Sequence, residues 1–180
     1  MRDLAESKNF IVVYPQGLDL AGSGSHWNCS NPSADNKSDV DDIGFIENLI
    51  DQLIVDYPVI DSKRIYAAGY SNGGFMSYYL ACNSKKFAAI GSVAGTMLDD
   101  SYQSCNANFP TAMINIHGTD DFDVPYDGNI YYPSIPDVVD WWKNFNNTPN
   151  EDLLTNQDGS IEQYKYYNDA SGGGLHSTLL

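Results

Sequence analysis

The segment Gly69-Tyr70-Ser71-Asn72-Gly73-Gly74 holds the side chain best suited to chemistry in this sequence, a serine set among glycines. A serine hydroxyl is a poor nucleophile at neutral pH, so it must be exposed, held beside a base and provided with donors for the oxyanion it creates. A Gly-x-Ser-x-Gly turn between a strand and a helix meets the first need, because flanking glycines let the two elements approach without a Cβ clash. Ser71 then stands at a helix N-terminus, where the Asn72 backbone N–H faces a developing negative charge. The bare pattern also arises by chance, so its weight comes from context. Here it follows the apolar run Arg64-Ile65-Tyr66-Ala67-Ala68-Gly69, read as a strand, and opens a helix from Phe75 to Cys82. The chemistry this predicts is acyl transfer through Ser71.

The elements around that turn must place it at the edge of a sheet. Phe10-Ile11-Val12-Val13-Tyr14 is a continuous apolar run closed by Pro15 and Gly17, the pattern of a central strand buried on both faces. A Gly-, Ser-, Asn- and Asp-rich loop from Gly17 to Lys37 carries His26 and Trp27, and a loop of that length is more often functional than idle. From Val40 to Tyr57 apolar residues recur at helical spacing, with Ser38 or Asp39 as N-cap and Pro58 as the stop. Ala88 to Val93 and Ala112 to His117 read as further buried strands, Val138 to Phe145 as a helix, and Ile161 to Tyr167 as a strand. The Asn-rich stretch from Asn144 to Asn156 reads as a surface loop. Strands alternating with helices predict an α/β fold, a mostly parallel sheet covered by helices on both faces, with ligands beyond the carboxyl ends of the strands.

Composition bounds the partners. The 180 residues and a 42% hydrophobic content suit one domain with one core, and no linker or repeat divides residues 1–180. A formal net charge of −15, from 24 acidic against 9 basic side chains, repels phosphate backbones and anionic lipid, so neither nucleic acid nor a membrane surface is an expected partner. No run approaches the ~18 apolar residues of a membrane span, and the first residues lack the apolar stretch of a signal peptide. Cys29, Cys82 and Cys105 are too few for a disulfide-built fold, and none lies at zinc-finger spacing; a Cys82–Cys105 bridge is plausible, since both flank one strand region. The chemistry needs no metal and no organic cofactor, and none is expected.

A series of motifs, Asp41-Asp42-Ile43-Gly44-Phe45-Ile46, Ile60-Asp61-Ser62-Lys63-Arg64-Ile65-Tyr66, the Ser71 segment, Phe87 to Gly95, Ile116-His117-Gly118-Thr119-Asp120-Asp121 and Val124-Pro125-Tyr126, resembles the polyhydroxybutyrate depolymerase and feruloyl esterase family of α/β-hydrolases. The resemblance spans Phe10 to Tyr126. It implies an extracellular serine esterase acting on polyhydroxyalkanoate, feruloyl or acetyl esters, the last two on plant polysaccharide. By motif, Asp121 holds the place of the triad acid, with Asp120 and Asp123 as rivals; the same acidic cluster also reads as a solvated loop or a weak calcium site. The chain order Ser, Asp, His of this fold leaves His176 as the base, since it is the histidine beyond Asp121. His117 belongs to the loop-shaping His-Gly-Thr pattern, and His26 with Trp27 is placed for substrate contact or, for His26, as an ordinary surface or core histidine.

Two departures from the family pattern set further expectations. Gly172-Gly173-Gly174 is followed by Leu175 before His176, one residue out of register with the family's Gly-Gly-His. The first strands of the fold, with their second oxyanion donor, have no counterpart ahead of Phe10, which predicts a domain lacking its first strands, truncated at both ends. An unpaired sheet edge in such a domain invites a dimer. Two other readings stand beside the esterase: a peptidase of the prolyl oligopeptidase type, and a catalytically impaired hydrolase-like fragment or carbohydrate-contacting module presenting Trp27, Tyr131, Tyr132, Trp141 and Trp142.

Overall fold

The computed structural model describes residues 1–22, 24–30 and 38–168, together with the backbone of 176–179. The chain opens with a short helix, α1 (Arg2–Lys8), which Asn9 ends in the left-handed conformation (φ 54°). Phe10 to Tyr14, expected as a central strand, pairs with no strand among the described residues. Phe10, Ile11, Val13 and Tyr14 are exposed. A central strand needs a hydrogen-bonded neighbour on each side, and the described ladders give this run none. A two-residue hairpin follows, β1 (Leu18–Asp19) against β2 (Ser25–His26).

Helix α2 (Asp42–Asp56) starts two residues later than the periodicity predicts, because its cap is Asp41 and not Ser38 or Asp39. The Asp41 carboxylate accepts from Gly44 N at 2.8 Å, satisfying a donor that the helix leaves without an acceptor. Then come β3 (Tyr66–Tyr70), α3 (Asn72–Asn83), β4 (Ala89–Val93), α4 (Asp99–Ser104), β5 (Ala112–Ile116) and α5 (Ile135–Phe145). The α5 cap is Ser134, whose Oγ accepts from Asp137 N and donates to the Asp137 carboxylate at 2.6 Å. Ile135, Val138, Val139 and Trp142 recur at helical spacing along this helix and are its buried face.

The expected surface loop 144–156 instead contains β6 (Asn150–Thr155), which pairs antiparallel with β7 (Glu162–Tyr167). Its side chains are almost all exposed, so burial left no alternation for the sequence to reveal. β8 (His176–Leu179) completes a six-stranded sheet running from β3 at one edge through β4, β5, β8 and β7 to β6. The first four run parallel, β7 runs antiparallel to β8, and β6 antiparallel to β7.

One core lies on the side of the sheet that buries Ile90, Ser92, Met113 and Asn115. Phe75, Met76, Tyr78 and Leu80 of α3, Ile46 of α2 and Trp142 of α5 join it. On the opposite face Tyr66, Tyr70, Val93, Ile114 and Ile116 remain exposed, so helices close one face where the sequence predicts both. Asn146 fixes α5 to the start of β5: its amide accepts from Thr111 N at 2.9 Å and donates to Thr111 O at 2.7 Å.

Cys82, at the end of α3, is disulfide-bonded to Cys105, just past α4, across 23 residues of sequence. Closing a loop of that size removes freedom from the unfolded chain worth about 3 kcal/mol. Replacing both cysteines by serine is expected to lower the thermal midpoint by roughly 6–12 °C in a circular dichroism melt. An unchanged midpoint would show that the bridge does not constrain the unfolded state.

Candidate active site

Ser71 lies between β3 and α3 with φ 51° and ψ −119°, a conformation that costs a non-glycine residue roughly 1–3 kcal/mol. Three backbone bonds hold it there. Ser71 N donates to Val93 O at 2.8 Å, and Ser71 O accepts from Gly74 N at 2.7 Å and Phe75 N at 3.1 Å. The strand is thereby pinned to its neighbour while the carbonyl closes the first turn of the helix. Ala94, in the equivalent place after β4, is also left-handed at φ 48° and donates to Ile116 O.

The glycines divide the steric work differently from the simple motif. A Cβ on Gly69 would lie 2.2 Å from the carbonyl carbon and oxygen of Gly73. A Cβ on Gly73 would meet nothing within 4 Å, so Gly73 is needed here for its backbone and not for its missing side chain. The second tight contact belongs to Gly74, whose Cβ would fall 2.5 Å from Ser92 Oγ, and a third to Gly95, 2.8 Å from Ser71 O. Asn72, the first residue of α3, presents its N–H at a helix N-terminus, the place for an oxyanion donor.

Asp121 leaves the same edge of the sheet. Tyr70, Val93 and Ile116 are ladder partners at the carboxyl ends of β3, β4 and β5, and Asp121 is five residues beyond Ile116. Its Oδ1 accepts from Asp123 N at 3.0 Å and Val124 N at 2.9 Å. Its Oδ2 is 3.7 Å from Nε2 of His117, a fully buried ring whose Nε2 is also 2.8 Å from Val124 O. His117 therefore packs inside the loop that Asp121 organises. Asp120 and Asp123 are exposed. Among the described residues no three His, Cys, Asp or Glu side chains gather to hold a metal ion.

The backbone of His176 opens β8. Its backbone pairs with Met113 of β5 and Tyr166 of β7, three ladder positions before Leu179, which pairs with Ile116 at the carboxyl edge. Three positions are about 10 Å along a strand. The register thus does not bring the His176 backbone to Ser71, and its side chain lies outside the described residues. Sequence order alone pointed to it, and order is blind to strand register.

Trp27 comes to the turn at Ser71, and His26 precedes it in β2. Trp27 N donates to Asn72 Oδ1 at 2.7 Å, and Asn72 Nδ2 donates to Trp27 O at 3.1 Å. The half-buried Trp27 ring stacks on Phe45 with centroids 6.4 Å apart. Asn28 N donates to Asp42 Oδ2 at 2.7 Å, and Ser101 Oγ to Cys29 O at 2.9 Å. Burial raises the Asp42 carboxyl above its usual value, against the pull of the Asn28 N–H and of nearby His26. Tyr132 carries no sequence signal for a place beside the nucleophile. Its ring meets Phe75 edge-on at 5.6 Å and its hydroxyl donates to Asp123 O at 3.2 Å, tying α3 to the loop of Asp121. Trp142 is fully buried and Trp141 stacks on Phe145, so neither forms an exposed sugar platform.

The chain is similar to known proteins in sequence and in fold. The sequence pattern of the prolyl oligopeptidase family matches residues 2–110. A bifunctional acetylxylan esterase/xylanase of Neocallimastix patriciarum is 32% identical over 120 residues, which are 66% of this chain and 16% of that protein. Feruloyl esterase C of Emericella nidulans is 35% identical over 122 residues, 67% of this chain and 38% of the esterase. The chain thus spans well under half the length of these curated relatives. Among solved structures, an acetyl xylan esterase from Aspergillus awamori superposes with a TM-score of 0.64 at 18% identity, over 98% of this chain and 73% of that one. The fold is that of the α/β-hydrolases.

Two outcomes follow from the local geometry. Gly69→Ala is expected to cost more than about 3 kcal/mol in denaturant melts, whereas Gly73→Ala, with open space at Cβ, should change stability by less than about 1 kcal/mol. Equal losses would sink the backbone-contact account. Because the Asp42 value is raised on folding, its contribution to stability is fullest in acid and is lost as pH rises through that raised value. Asp42→Asn keeps an acceptor for Asn28 N and should flatten this fall from about pH 4 upward, read from melts across pH.

Proposed function

The chain belongs to the prolyl oligopeptidase family, and on that premise we propose that it is a serine hydrolase of carboxylic esters acting through an acyl-enzyme on Ser71. The observation that carries the reading is the strained Ser71 backbone, which sets the serine between a strand end and the N-terminus of α3. In the proposed reaction an imidazole takes the Ser71 Oγ proton as that oxygen attacks the ester carbonyl and later gives it to the departing alcohol, while the Asn72 N–H donates to the oxyanion. Asp121, held by Asp123 N and Val124 N, keeps Oδ2 for orienting an imidazole. Collapse of the tetrahedral adduct expels the alcohol, and water then releases the acid from the serine.

The substrate class we propose is acetyl and feruloyl esters, a reading supported by relatives named acetylxylan esterase and feruloyl esterase. The Cys82–Cys105 bridge supports work in an oxidising, extracellular setting. A peptidase reading draws support from the family pattern over residues 2–110. Turnover of peptide anilides without turnover of esters would favour it.

The test is hydrolysis of p-nitrophenyl acetate and methyl ferulate by the purified chain and its variants. Ser71→Ala is expected to abolish turnover and labelling by a fluorophosphonate. On register grounds His176→Ala should change the rate less than about threefold, the effect of a residue remote from the reacting atoms. A loss as deep as that of Ser71→Ala would restore His176 as the base; a rate insensitive to Ser71 would sink the acyl-enzyme.

A further inference from the structure

We infer that the side-chain amide of Asn72 is a positioning group that locks Trp27 to the nucleophile turn, so that the oxyanion donor and one wall of the ester cleft are set as a unit. The inference deepens the esterase reading and rests on it only for its consequence in turnover. An amide that accepts from the N–H and donates to the carbonyl of one residue imitates a neighbouring strand. Asn72 does this to Trp27 across 45 residues of sequence, at 2.7 and 3.1 Å. The same Nδ2 lies 3.5 Å from Cys29 Sγ, so the contact extends along the segment.

No described strand holds this segment beyond the two-residue β2, where it leaves its hairpin. Further along, it is anchored by bonds to separate elements, among them Asn28 N to Asp42, Asn28 Nδ2 to Val40 O at 2.9 Å, and Ser101 Oγ to Cys29 O. The Asn72 clamp is the anchor that reaches the residue beside the nucleophile. Trp27, with Phe45 stacked on it, is the large apolar surface so positioned. A flat indole held there favours an ester with an aromatic acyl group over one with an acetyl group, which offers it no ring to stack.

The experiment compares Asn72→Ala and Asn72→Asp with the parent chain. Asn72→Ala removes both clamp bonds and keeps the backbone N–H; Asn72→Asp keeps the acceptor for Trp27 N and loses the donors. Tryptophan emission and its quenching by acrylamide are read first, with Trp27→Phe marking the Trp27 share. The clamp predicts a red shift and stronger quenching in Asn72→Ala, a smaller change in Asn72→Asp, and none when Trp27→Phe is combined with Asn72→Ala. It also predicts that the ratio of kcat/KM for methyl ferulate to that for p-nitrophenyl acetate falls about tenfold in Asn72→Ala, the effect of losing two ordinary hydrogen bonds. Unchanged emission in a folded Asn72→Ala overturns the clamp, and so does an unchanged ratio. If the parent turns over no ester, the esterase reading fails while the emission comparison still decides the clamp.

Discussion

Backbone meets backbone where β3 passes into α3, and the site depends on that contact. Gly69 lies so close to Gly73 that a single methyl group would overlap its carbonyl. The approach forces the chain to reverse within two residues, and the residue at the bend takes the left-handed conformation that exposes a side chain above the sheet. Ser71 sits there because its carbonyl can close the helix and its N–H can reach Val93. Gly74 and Gly95 extend the same close packing to the next strand, beside Ser92. Strain at Ser71 is thus balanced by packing that no larger residue would permit.

The parallel ladder then decides what gathers around the serine. β3, β4 and β5 end in step, so the loops after them open on one edge, and the Asp121 loop is one of these. That loop is built inward, with its acid bonded to its own backbone and the His117 ring buried within it. Side-chain amides fasten the other pieces. Asn146 grips Thr111 to seat β5 against α5, and Asn72 grips Trp27 by the same pair of bonds at the site. An amide serves both places because it alone among neutral side chains matches the donor and acceptor of a peptide unit.

The sheet around this edge is unequal. Its central strands bury one face under α3 and the core of α2 and α5, while Tyr66, Tyr70, Val93, Ile114 and Ile116 stay open on the other. The likeness to an acetyl xylan esterase covers almost all of this chain but only 73% of that structure. The disulfide from Cys82 to Cys105 braces the helix that follows Ser71.

Local pattern was enough to set Ser71 in a turn between strand and helix, to find β3, β4 and β5, to read a helix from Val40 to Tyr57 that forms over 42–56, and to put Asp121 after β5, because each rests on spacing within a few residues. It also left a Cys82–Cys105 bridge plausible, and the structure forms it. Where the outcome turned on distant neighbours, the sequence misled or was silent. The apolar run from Phe10 to Tyr14 had the composition of a central strand, yet pairing needs a partner and composition cannot provide one. β6 escaped notice since an exposed edge strand carries no hydrophobic alternation. His176 came last in the order Ser, Asp, His, but order carries no register, and three ladder positions set its backbone away from the edge where Ser71 stands. The Asn72 clamp on Trp27 joins residues 45 apart through hydrogen bonds that neither residue type announces. The sequence by itself determined the strand–serine–helix turn at Ser71 and the elements that flank it; the tertiary structure alone decided which strands pair and in what register, because those depend on contacts between residues far apart in the chain.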